Sequence, residues 1–379
     1  MKIVADENMP NVKRLFSHLG EVTLVSGRDL SAQQVKDADA LLVRSVTKVN
    51  ENLLTGSKVK FVGSATIGVD HIDEAYLRAQ NIAFSSAPGC NAEAVADYVF
   101  SALGHLYLNK GIKWLSAKVA VIGYGNVGRT VYKRFAALGC QVCVYDPLKL
   151  ADDPMLSREA NFVELADVLT CDVICLHSPM TQSGPYPTLN MLSENELAQI
   201  KAGSSIISAG RGGVINEDAL LSRYKELSGD LNLVLDVWHD EPNISQQLVN
   251  ITDIATPHIA GYSRQGREKG TWMVYQALCK CFGLDAQFSM EDAVTPGNLQ
   301  SIQLNTHLCK EEILARSMHA IYDVARDDAR LRFQYRINTK ESTFDWLRKN
   351  YVERDEFNTC QVHHDSEQAM LKAVGFNQK

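Results

Sequence analysis

The sequence lacks the features that mark membrane, secreted and nucleic-acid-binding proteins. No apolar stretch approaches the length of a membrane span, and the first residues, MKIVADENMP, turn acidic after a few apolar positions, unlike a signal peptide. No cluster of lysine and arginine stands out, and 38 basic against 45 acidic residues give a net charge of −7. These absences argue against a membrane or a nucleic acid as a partner, and we expect a cytoplasmic protein that acts on a small molecule.

The nine cysteines are not the even, regularly spaced set that a disulfide framework needs. An odd number scattered through predicted core indicates reduced thiols. Cys140 and Cys143 have C-x-x-C spacing, but residues three apart on a strand face opposite sides, so the pair should not chelate one ion. We interpret His363 and His364 as a surface pair rather than a metal site, and we predict no metal.

Residues 118–146 contain an apolar strand, a glycine-rich turn, a helical pattern and a second strand. Gly123, Gly125 and Gly128 give the spacing G-x-G-x-x-G, and Asp146 ends the second strand. Alone, such a motif is weak. Between a strand and a helix, with an acidic residue downstream, it indicates a dinucleotide site. The alternative is an ordinary turn followed by a solvated aspartate.

Each residue of this motif has a physical role in the predicted site. Gly123 permits the tight turn, Gly125 lets the backbone approach a pyrophosphate, and Gly128 lets the helix pack closely on the strand. The helix N-terminus offers unpaired N–H groups and a partial positive charge to the phosphates. Asp146 can accept hydrogen bonds from both ribose hydroxyls of NAD and would repel the 2′-phosphate of NADP, so we predict NAD as the cofactor.

Strand and helix patterns alternate over residues 1–90 and again over residues 118–258. Such alternation predicts two doubly wound α/β domains, each with a parallel sheet between layers of helices. Long helical patterns at 91–108 and 262–282 connect them. From residue 288 the alternation fades, and a more charged region indicates a third, smaller unit.

Polar residues follow several predicted strands of the first domain, at the sheet edge where parallel sheets carry their functional loops. Arg44 and Ser45 follow one strand, and Thr66 lies in the loop after the next. Any one of them could be an incidental loop residue, but together they indicate a binding site.

Three residues with complementary chemistry follow strands of the second domain, namely Arg211, Glu241 and His258. The planar guanidinium of Arg211, in a glycine-rich loop, suits a carboxylate. A carboxylate paired with an imidazole fixes its tautomer, so the imidazole can exchange a proton with an alcohol. Each residue also has a simpler interpretation, as a helix cap, a surface charge or a loop histidine. His177 also ends a strand, and sequence order alone does not choose between the two histidines.

Five stretches carry a resemblance to a known family: SATIGVDHID, VAVIGYGNVG, SAGRGGVINEDAL, LDVWHDEPN and TPHIAGYS. In order and spacing they resemble the D-isomer-specific 2-hydroxyacid dehydrogenase family. The resemblance implies NAD-dependent oxidation of a 2-hydroxy acid, and it places the family's catalytic residues at Arg211, Glu241 and His258.

The resemblance also implies the domain organisation and the ligand contacts. A flavodoxin-like substrate domain, residues 1–95 and 260–287, is split around an inserted Rossmann domain for NAD at 96–259. Besides the glycines of the motif and Asp146, the family pattern implies cofactor contacts at Asn126, Val127, Ser178, Ala209, Gly210, Asp236 and Gly261.

Further stretches resemble one branch of the family, whose substrate carries a 4-phosphate and whose product leads to vitamin B6. They are RSVTKVN, SGPYPTLN, YDVARDDARLR and FDWLRKNYVERDEF. The resemblance implies that residues 288–379 form a small α+β dimerisation domain, so we expect a homodimer. It also implies a longer substrate, for which we predict contacts at Arg44, Ser45, Thr66, Tyr262 and Arg348. Two interpretations of Arg348 stay open: it reaches the partner's site across the dimer, or it is a solvated charge at the interface.

Two alternatives stay open. One is another phosphorylated hydroxy acid dehydrogenase, such as one acting on 3-phosphoglycerate. The other is an NAD-sensing binding protein without catalysis, although the retention of Arg211, Glu241 and His258 argues against it.

Overall fold

The computed structural model describes residues 1–305, 307–337 and 343–378. The remaining positions of the predicted C-terminal unit, 306, 338–342 and 379, lie outside the described residues. Among the helices of the described ranges, none combines the length and apolar character that crossing a membrane requires.

The strands and helices follow the alternating order that the sequence predicts. The strands are β1 (Lys2–Asp6), β2 (Glu21–Val25), β3 (Ala40–Val43), β4 (Phe61–Ser64), β5 (Ala83–Ser85), β6 (Lys118–Ile122), β7 (Gln141–Tyr145), β8 (Val173–Leu176), β9 (Ser205–Ser208), β10 (Asn232–Leu235), β11 (Ile254–Ala255), β12 (Ser301–Gln303) and β13 (Gln361–His363). The α-helices are α1 (Val12–Phe16), α2 (Ala32–Val35), α3 (Glu51–Leu54), α4 (Glu74–Ala79), α5 (Ala92–Lys110), α6 (Asn126–Ala137), α7 (Pro147–Asp152), α8 (Leu165–Val168), α9 (Glu194–Leu197), α10 (Glu217–Glu226), α11 (Gln246–Ile251), α12 (Arg264–Phe282), α13 (Met290–Ala293), α14 (Lys310–Ile321), α15 (Ala325–Ile337), α16 (Thr343–Lys349) and α17 (Gln368–Val374).

The chain divides into two compact units. The first comprises Met1–Asn91 and Ser263–Pro296, and the second comprises Ala92–Tyr262 and Gly297–Lys379. The predicted boundaries differ from these by a few residues, and the predicted third unit is grouped with the second. The physical reason is a shared core, because Ile313 and Phe357 of the C-terminal segment are buried in the same apolar cluster as the strands and helices of residues 92–262.

The first unit contains a five-stranded parallel sheet in the order β2-β1-β3-β4-β5. All four residues of β3, ALLV, are buried, as expected of a strand covered on both faces. Helix α12 returns from the second unit and packs on β4, and its Val274 joins the buried cluster beneath the sheet.

The second unit contains a six-stranded parallel sheet in the order β11-β10-β9-β8-β6-β7. This confirms the doubly wound α/β fold that the sequence predicts for both units. The chain continues from β6 to β7 on one side and later to β8 on the other, so the strand order reverses between β6 and β8. Open α/β sheets bind ligands at the carboxyl ends of the strands at such a point.

The C-terminal segment, residues 297–378, packs through its helices on residues 92–262 of the same unit. Helix α14 packs along α5, α17 packs on α6, and β12 and β13 form a small parallel pair. His363 is exposed, but His364 is buried, so the interpretation of the two as a surface pair is wrong for His364.

Arg134 on α6 links the C-terminal segment to helices α5 and α6. Its Nη1 donates a hydrogen bond to Asp97 on α5 at 2.7 Å, and its guanidinium also pairs with Glu93. Asp97 is fully buried and accepts a second hydrogen bond, at 2.9 Å, from the N–H of Phe357. Gly375 has a φ of 118°, and a Cβ atom there would lie 2.7 Å from the guanidinium carbon of Arg134, so a side chain would strain the backbone and displace this guanidinium.

We predict that Arg134→Met lowers the free energy of unfolding by about 3–5 kcal/mol, because it leaves the Asp97 carboxylate buried without its cation. Urea unfolding followed by circular dichroism measures this change. Arg316→Met is the matched control, because Arg316 pairs with Glu312 on an exposed helix face, where such pairs contribute about 0.3–0.5 kcal/mol. Equal losses in the two variants would contradict the structural role of the buried pair.

Candidate active site

The glycine-rich turn after β6 lies where the strand order reverses. Gly123 has a φ of 90°, and a Cβ atom there would lie 2.7 Å from the backbone nitrogen of Ser178, which follows β8. A Cβ atom on Gly128 would lie 1.8 Å from the carbonyl oxygen of Gly123, so this glycine is required for the turn to close against the helix. The turn is therefore held by backbone contacts on both sides.

The N-terminus of α6 fits the pyrophosphate of a dinucleotide. The helix begins at Asn126, and its N-cap residue Gly125 supplies no side-chain hydrogen bond, so the first N–H groups remain available to a ligand. A Cβ atom on Gly125 would meet no atom within 4 Å, which shows open space beside the turn. The next residue, Val127, lies in the first turn of this helix. These features match the anion-binding geometry of a helix N-terminus.

Asp146 is fixed beside the same turn. One carboxylate oxygen accepts the N–H of Tyr124 at 2.8 Å, and the other accepts the N–H of Lys149 at 3.0 Å, which caps α7. A carboxylate has about four acceptor sites, so capacity remains for ribose hydroxyls.

The other predicted cofactor residues lie at the neighbouring strand ends. A Cβ atom on Gly210 would lie 2.8 Å from the carbonyl oxygen of Ser178, and the N–H of Ala209 donates to Leu176 at 3.1 Å. The structure thus brings Gly123, Ser178 and Gly210 together at one sheet edge.

Glu241 and His258 form a hydrogen-bonded pair. Glu241 Oε2 lies 2.8 Å from His258 Nδ1, and Glu241 Oε1 accepts the N–H of Trp238 at 3.1 Å. The indole N–H of Trp238 donates in turn to the Thr256 carbonyl at 2.9 Å. The carboxylate is therefore held at both oxygens, with one facing the imidazole.

Asp236, at the end of β10, holds the loop that carries His258. It is fully buried, and its carboxylate accepts hydrogen bonds from the Thr256 hydroxyl, the Ile259 N–H and the Ala260 N–H at 2.7–2.9 Å. Burial raises the pKa of Asp236, and the nearby His258 and these hydrogen bonds oppose that shift. His258 has a left-handed backbone, with a φ of 56°, which a residue other than glycine adopts only when its surroundings fix it. Gly261 follows in the same loop.

Arg211 lies on a loop that contacts the loop of Glu241 backbone to backbone. Its Nη1 donates to the Gly210 carbonyl at 3.1 Å. A Cβ atom on Gly212 would lie 1.7 Å from the Trp238 carbonyl oxygen, so the two loops approach closely because this residue has no side chain. The approach brings the loop of the guanidinium and the loop of the carboxylate to the same sheet edge.

The two histidines differ in their surroundings. Both ring nitrogens of His177 are buried, and within the part of the chain that the structure describes no carboxylate pairs with them. Burial lowers the pKa of His177 to about 4, so its ring is neutral at pH 7. His258 has a carboxylate partner and His177 does not, which favours His258 as the group that exchanges protons.

Arg44, Ser45 and Thr66 lie together at the carboxyl edge of the first unit's sheet, because β3 and β4 are adjacent. The Thr66 hydroxyl donates to the Gly68 carbonyl at 3.1 Å and lies 2.7 Å from the Ser64 hydroxyl, which also contacts His71 Nε2 at 3.0 Å. Burial lowers the pKa of His71. Sequence reasoning did not single out His71, although it lies within the SATIGVDHID stretch.

Arg348 contacts Tyr262 of its own chain. Its guanidinium carbon lies 5.8 Å from the centre of the Tyr262 ring and 5.9 Å from that of Phe344. Burial alone would lower the pKa of Arg348, but Tyr262 and Glu241 raise it overall. Helix α16 buries Phe344 and Leu347 in the second unit and places Arg348 beside Tyr262 of the same chain. That Arg348 also reaches a partner's site stays a prediction.

Two further residues support the site without having been predicted from the sequence. The hydroxyl of Tyr98 on α5 lies 2.8 Å from the Thr256 hydroxyl, and Trp238 contacts Glu241 and Thr256 as described above. The sequence gives only a weak indication that these residues support the site, since Tyr98 lies in an apolar helical pattern and Trp238 directly follows a predicted strand. Across residues 1–305, 307–337 and 343–378, no group of three or more histidine, cysteine, aspartate and glutamate side chains could hold a metal ion.

Comparisons with known proteins agree with this geometry. Residues 109–260 match the family described as D-isomer specific 2-hydroxyacid dehydrogenase, NAD binding domain, and residues 294–375 match a domain of unknown function. The chain is 64% identical over 380 residues to erythronate-4-phosphate dehydrogenase of Marinomonas sp., covering 100% of this chain and 99% of the relative. It is 43% identical to the Escherichia coli enzyme of the same name, covering 100% and 98%.

Solved structures share the fold. The NAD+-bound 3-phosphoglycerate dehydrogenase of Entamoeba histolytica aligns with a TM-score of 0.61 at 24% identity, covering 78% of this chain and 98% of that one. D-lactate dehydrogenase of Aquifex aeolicus, complexed with NAD and lactic acid, aligns with a TM-score of 0.59 at 24% identity, covering 75% and 95%. The chain therefore belongs to the erythronate-4-phosphate dehydrogenase family, within the NAD-dependent D-isomer specific 2-hydroxyacid dehydrogenases.

Proposed function

We propose that the chain oxidises 4-phospho-D-erythronate with NAD+ to 3-hydroxy-2-oxo-4-phosphobutanoate, a step toward pyridoxal 5′-phosphate. The observation that carries the chemistry is the 2.8 Å contact between Glu241 and His258 at the sheet edge that also carries Arg211 and the glycine turn. The names of the full-length relatives support the substrate. The nine free cysteines support a cytoplasmic location, where thiols stay reduced.

His258 accepts the proton of the C2 hydroxyl in the proposed reaction. Its Nδ1 faces Glu241, so Nε2 is the nitrogen that meets the substrate. Glu241 fixes the ring orientation and stabilises the imidazolium that forms. When bound, NAD+ supplies the acceptor for the hydride that leaves C2. Loss of the hydride and the proton converts the C2 hydroxyl into a carbonyl, so atoms and charges balance.

Arg211 holds the substrate carboxylate next to the reacting carbon. Its planar guanidinium can donate two parallel hydrogen bonds to a carboxylate, which fixes the orientation of C2. The close contact between Gly212 and Trp238 links the position of Arg211 to that of Glu241.

The 4-phosphate needs contacts beyond the catalytic set. We assign it to Arg44 and Ser45, with Thr66 as a further substrate contact, and to Tyr262 with Arg348. Arg348 supports the last assignment, because its guanidinium is partly buried against the Tyr262 ring and its Nε has no hydrogen-bond partner in the described residues.

The C-terminal segment mediates homodimerisation in this proposal. It exposes several large apolar side chains, with Phe333 50% and Ile337 57% accessible on adjacent turns of α15. Trp346 on α16 and Val352 are also exposed. Apolar side chains concentrated in this way support contact with a second copy of the chain. We accordingly assign substrate binding to residues 1–95 and 260–287, NAD binding to residues 96–259, and dimerisation to residues 288–379.

The first of three predictions from the proposed function tests the reaction. The chain should form NADH from NAD+ and 4-phospho-D-erythronate, and His258→Ala should lower kcat about 10²–10⁴-fold, the usual contribution of a general base. His177→Asn is the matched control, because it removes the rival imidazole and should leave kcat near that of the wild type. Absorbance at 340 nm measures both.

Three outcomes would contradict this assignment. Preferential oxidation of 3-phosphoglycerate would indicate a related phosphorylated hydroxy acid dehydrogenase. Binding of NADH without turnover of either acid would indicate a sensing protein. Loss of turnover in His177→Asn, with His258→Ala active, would assign the proton transfer to His177.

The second prediction concerns the choice of cofactor. Asp146→Asn should raise the ratio of kcat/KM with NADP+ to that with NAD+ about tenfold, because it removes a charge that repels the 2′-phosphate and weakens hydrogen bonds to the ribose. Asp152→Asn, on the exposed end of α7, should leave the ratio unchanged. A wild type that used both cofactors equally would refute the role of Asp146.

The third prediction concerns the phosphate. Arg348→Ala should raise KM for 4-phospho-D-erythronate about tenfold or more, because it removes a charge-assisted hydrogen bond, while the oligomeric state measured by light scattering stays the same. Lys349→Ala, at the exposed next position of α16, should have no such effect. An unchanged KM in Arg348→Ala would leave Arg44 as the main cation for the phosphate.

A further inference from the structure

One short stretch of the C-terminal segment converges on the residues that follow His258. Arg348 lies over the Tyr262 ring, Tyr351 packs edge-on against the same ring at 5.6 Å, and Arg354 binds the carbonyl of Ala260. These three side chains contact the loop of His258, residues 256–262, near its C-terminal end. Asp236, which follows β10 of the sheet, binds the same loop through hydrogen bonds.

Arg354 is the most deeply buried of the three, at 3% exposure. Its Nη2 donates to the Ala260 carbonyl at 2.5 Å and to the Ala94 carbonyl at 2.9 Å. Its guanidinium carbon lies 3.8 Å from the centre of the Tyr322 ring, close enough for a cation–π interaction. A charge so deeply buried persists only where specific partners hold it, and one of those partners belongs to the catalytic loop.

Both the backbone N–H and the backbone carbonyl of Ala260 are therefore hydrogen-bonded. Its N–H donates to Asp236 at 2.9 Å, and its carbonyl accepts from Arg354. It lies two residues after His258, whose left-handed backbone depends on the surrounding bonds. Release of the Ala260 carbonyl would free one side of this loop and let His258 turn away from Glu241.

We propose that Arg354 is a positioning residue for the proton transfer, which it supports by fixing the carbonyl of Ala260 and hence the orientation of His258. The inference rests on the proposed function for its catalytic consequence. The simpler alternative is that Arg354 only anchors the C-terminal segment to α5 through the Ala94 carbonyl.

Arg354→Met is the test, with Arg332→Met as the matched control. Arg332 also belongs to the C-terminal segment and donates to two carbonyls of the second unit, those of Val249 and Thr252, at 2.8 and 2.6 Å. Neither carbonyl belongs to the loop of His258. Arg332 also pairs with Asp328, which accepts the N–H of Ala255 in β11. Of the two arginines, Arg354 is the one that binds a carbonyl of the loop itself.

We expect Arg354→Met to lower kcat about tenfold to a hundredfold, the usual cost of a small misplacement of a catalytic group, with KM changed less than about threefold. Arg332→Met should leave kcat within about twofold, because the partners that it loses are Val249, Thr252 and Asp328 rather than residues 256–262. Guanidinium at millimolar concentration should restore part of the kcat of Arg354→Met and none in Arg332→Met. An unchanged kcat in folded Arg354→Met would overturn the proposal.

Hydrogen exchange of the free protein gives a readout that does not depend on activity. The peptide spanning residues 256–262 should exchange faster in Arg354→Met than in the wild type, because the Ile259 and Ala260 N–H groups lose their fixed acceptor geometry. Faster exchange confined to α5 and the C-terminal segment would instead establish the anchoring role and reject the proposal. If the wild type does not oxidise 4-phospho-D-erythronate, the proposed function fails, and this exchange pattern still decides whether Arg354 positions the loop.

Arg354→Lys decides the matter if Arg354→Met does not fold. Lysine keeps the charge beside Tyr322 but donates from a single nitrogen with a different reach. The proposal expects the same direction of change, with lower kcat and faster exchange over 256–262. A lysine variant with wild-type kcat and exchange would overturn it.

Discussion

The arrangement of the active site depends on one buried carboxylate, that of Asp236. A carboxylate at 1% exposure is stable only if hydrogen bonds replace the water it has lost, and the loop after β11 supplies them through the Thr256 hydroxyl and two backbone N–H groups. To donate these bonds the loop must fold tightly around the carboxylate, and that path forces His258 into a left-handed backbone conformation. The direction of the imidazole toward Glu241 is thus a consequence of satisfying a neighbouring buried charge.

The second constraint is the close approach of backbones. Gly212 against the Trp238 carbonyl and Gly128 against the Gly123 carbonyl leave no space for a methyl group. Backbone segments packed this closely cannot shift independently, because interiors are near crystalline density. Closely packed backbone at the sheet edge therefore makes the site rigid. The candidate catalytic side chains extend from this backbone.

The sequence predicted those parts of the fold that local patterns encode. The strand Glu21–Val25 and the turn Gly123–Gly128 follow from apolar runs and glycine spacing alone. Arg211, Glu241 and His258 are candidates because they follow strands, but the family resemblance, not their order, distinguishes His258 from His177. Helical spacing in the sequence runs from Thr130 to Leu138, but helix α6 begins at Asn126, because the turn passes directly into the helix. The contact of Arg348 with Tyr262 could not be predicted, since it joins residues distant in sequence. The burial of His364 differs from what two adjacent polar residues indicate.

The contact between Arg134 and Gly375 has a consequence for how the protein is made. Helix α6 carries the dinucleotide turn at its N-terminus and is synthesised early, but one of its neighbours, Gly375, lies far downstream in the chain. During vectorial synthesis on the ribosome the guanidinium of Arg134 and the carboxylate of Asp97 must wait for Phe357 and Gly375 before their burial is complete. Until then the nascent second unit exposes these polar groups to water, so its final packing must follow the synthesis of Gly375.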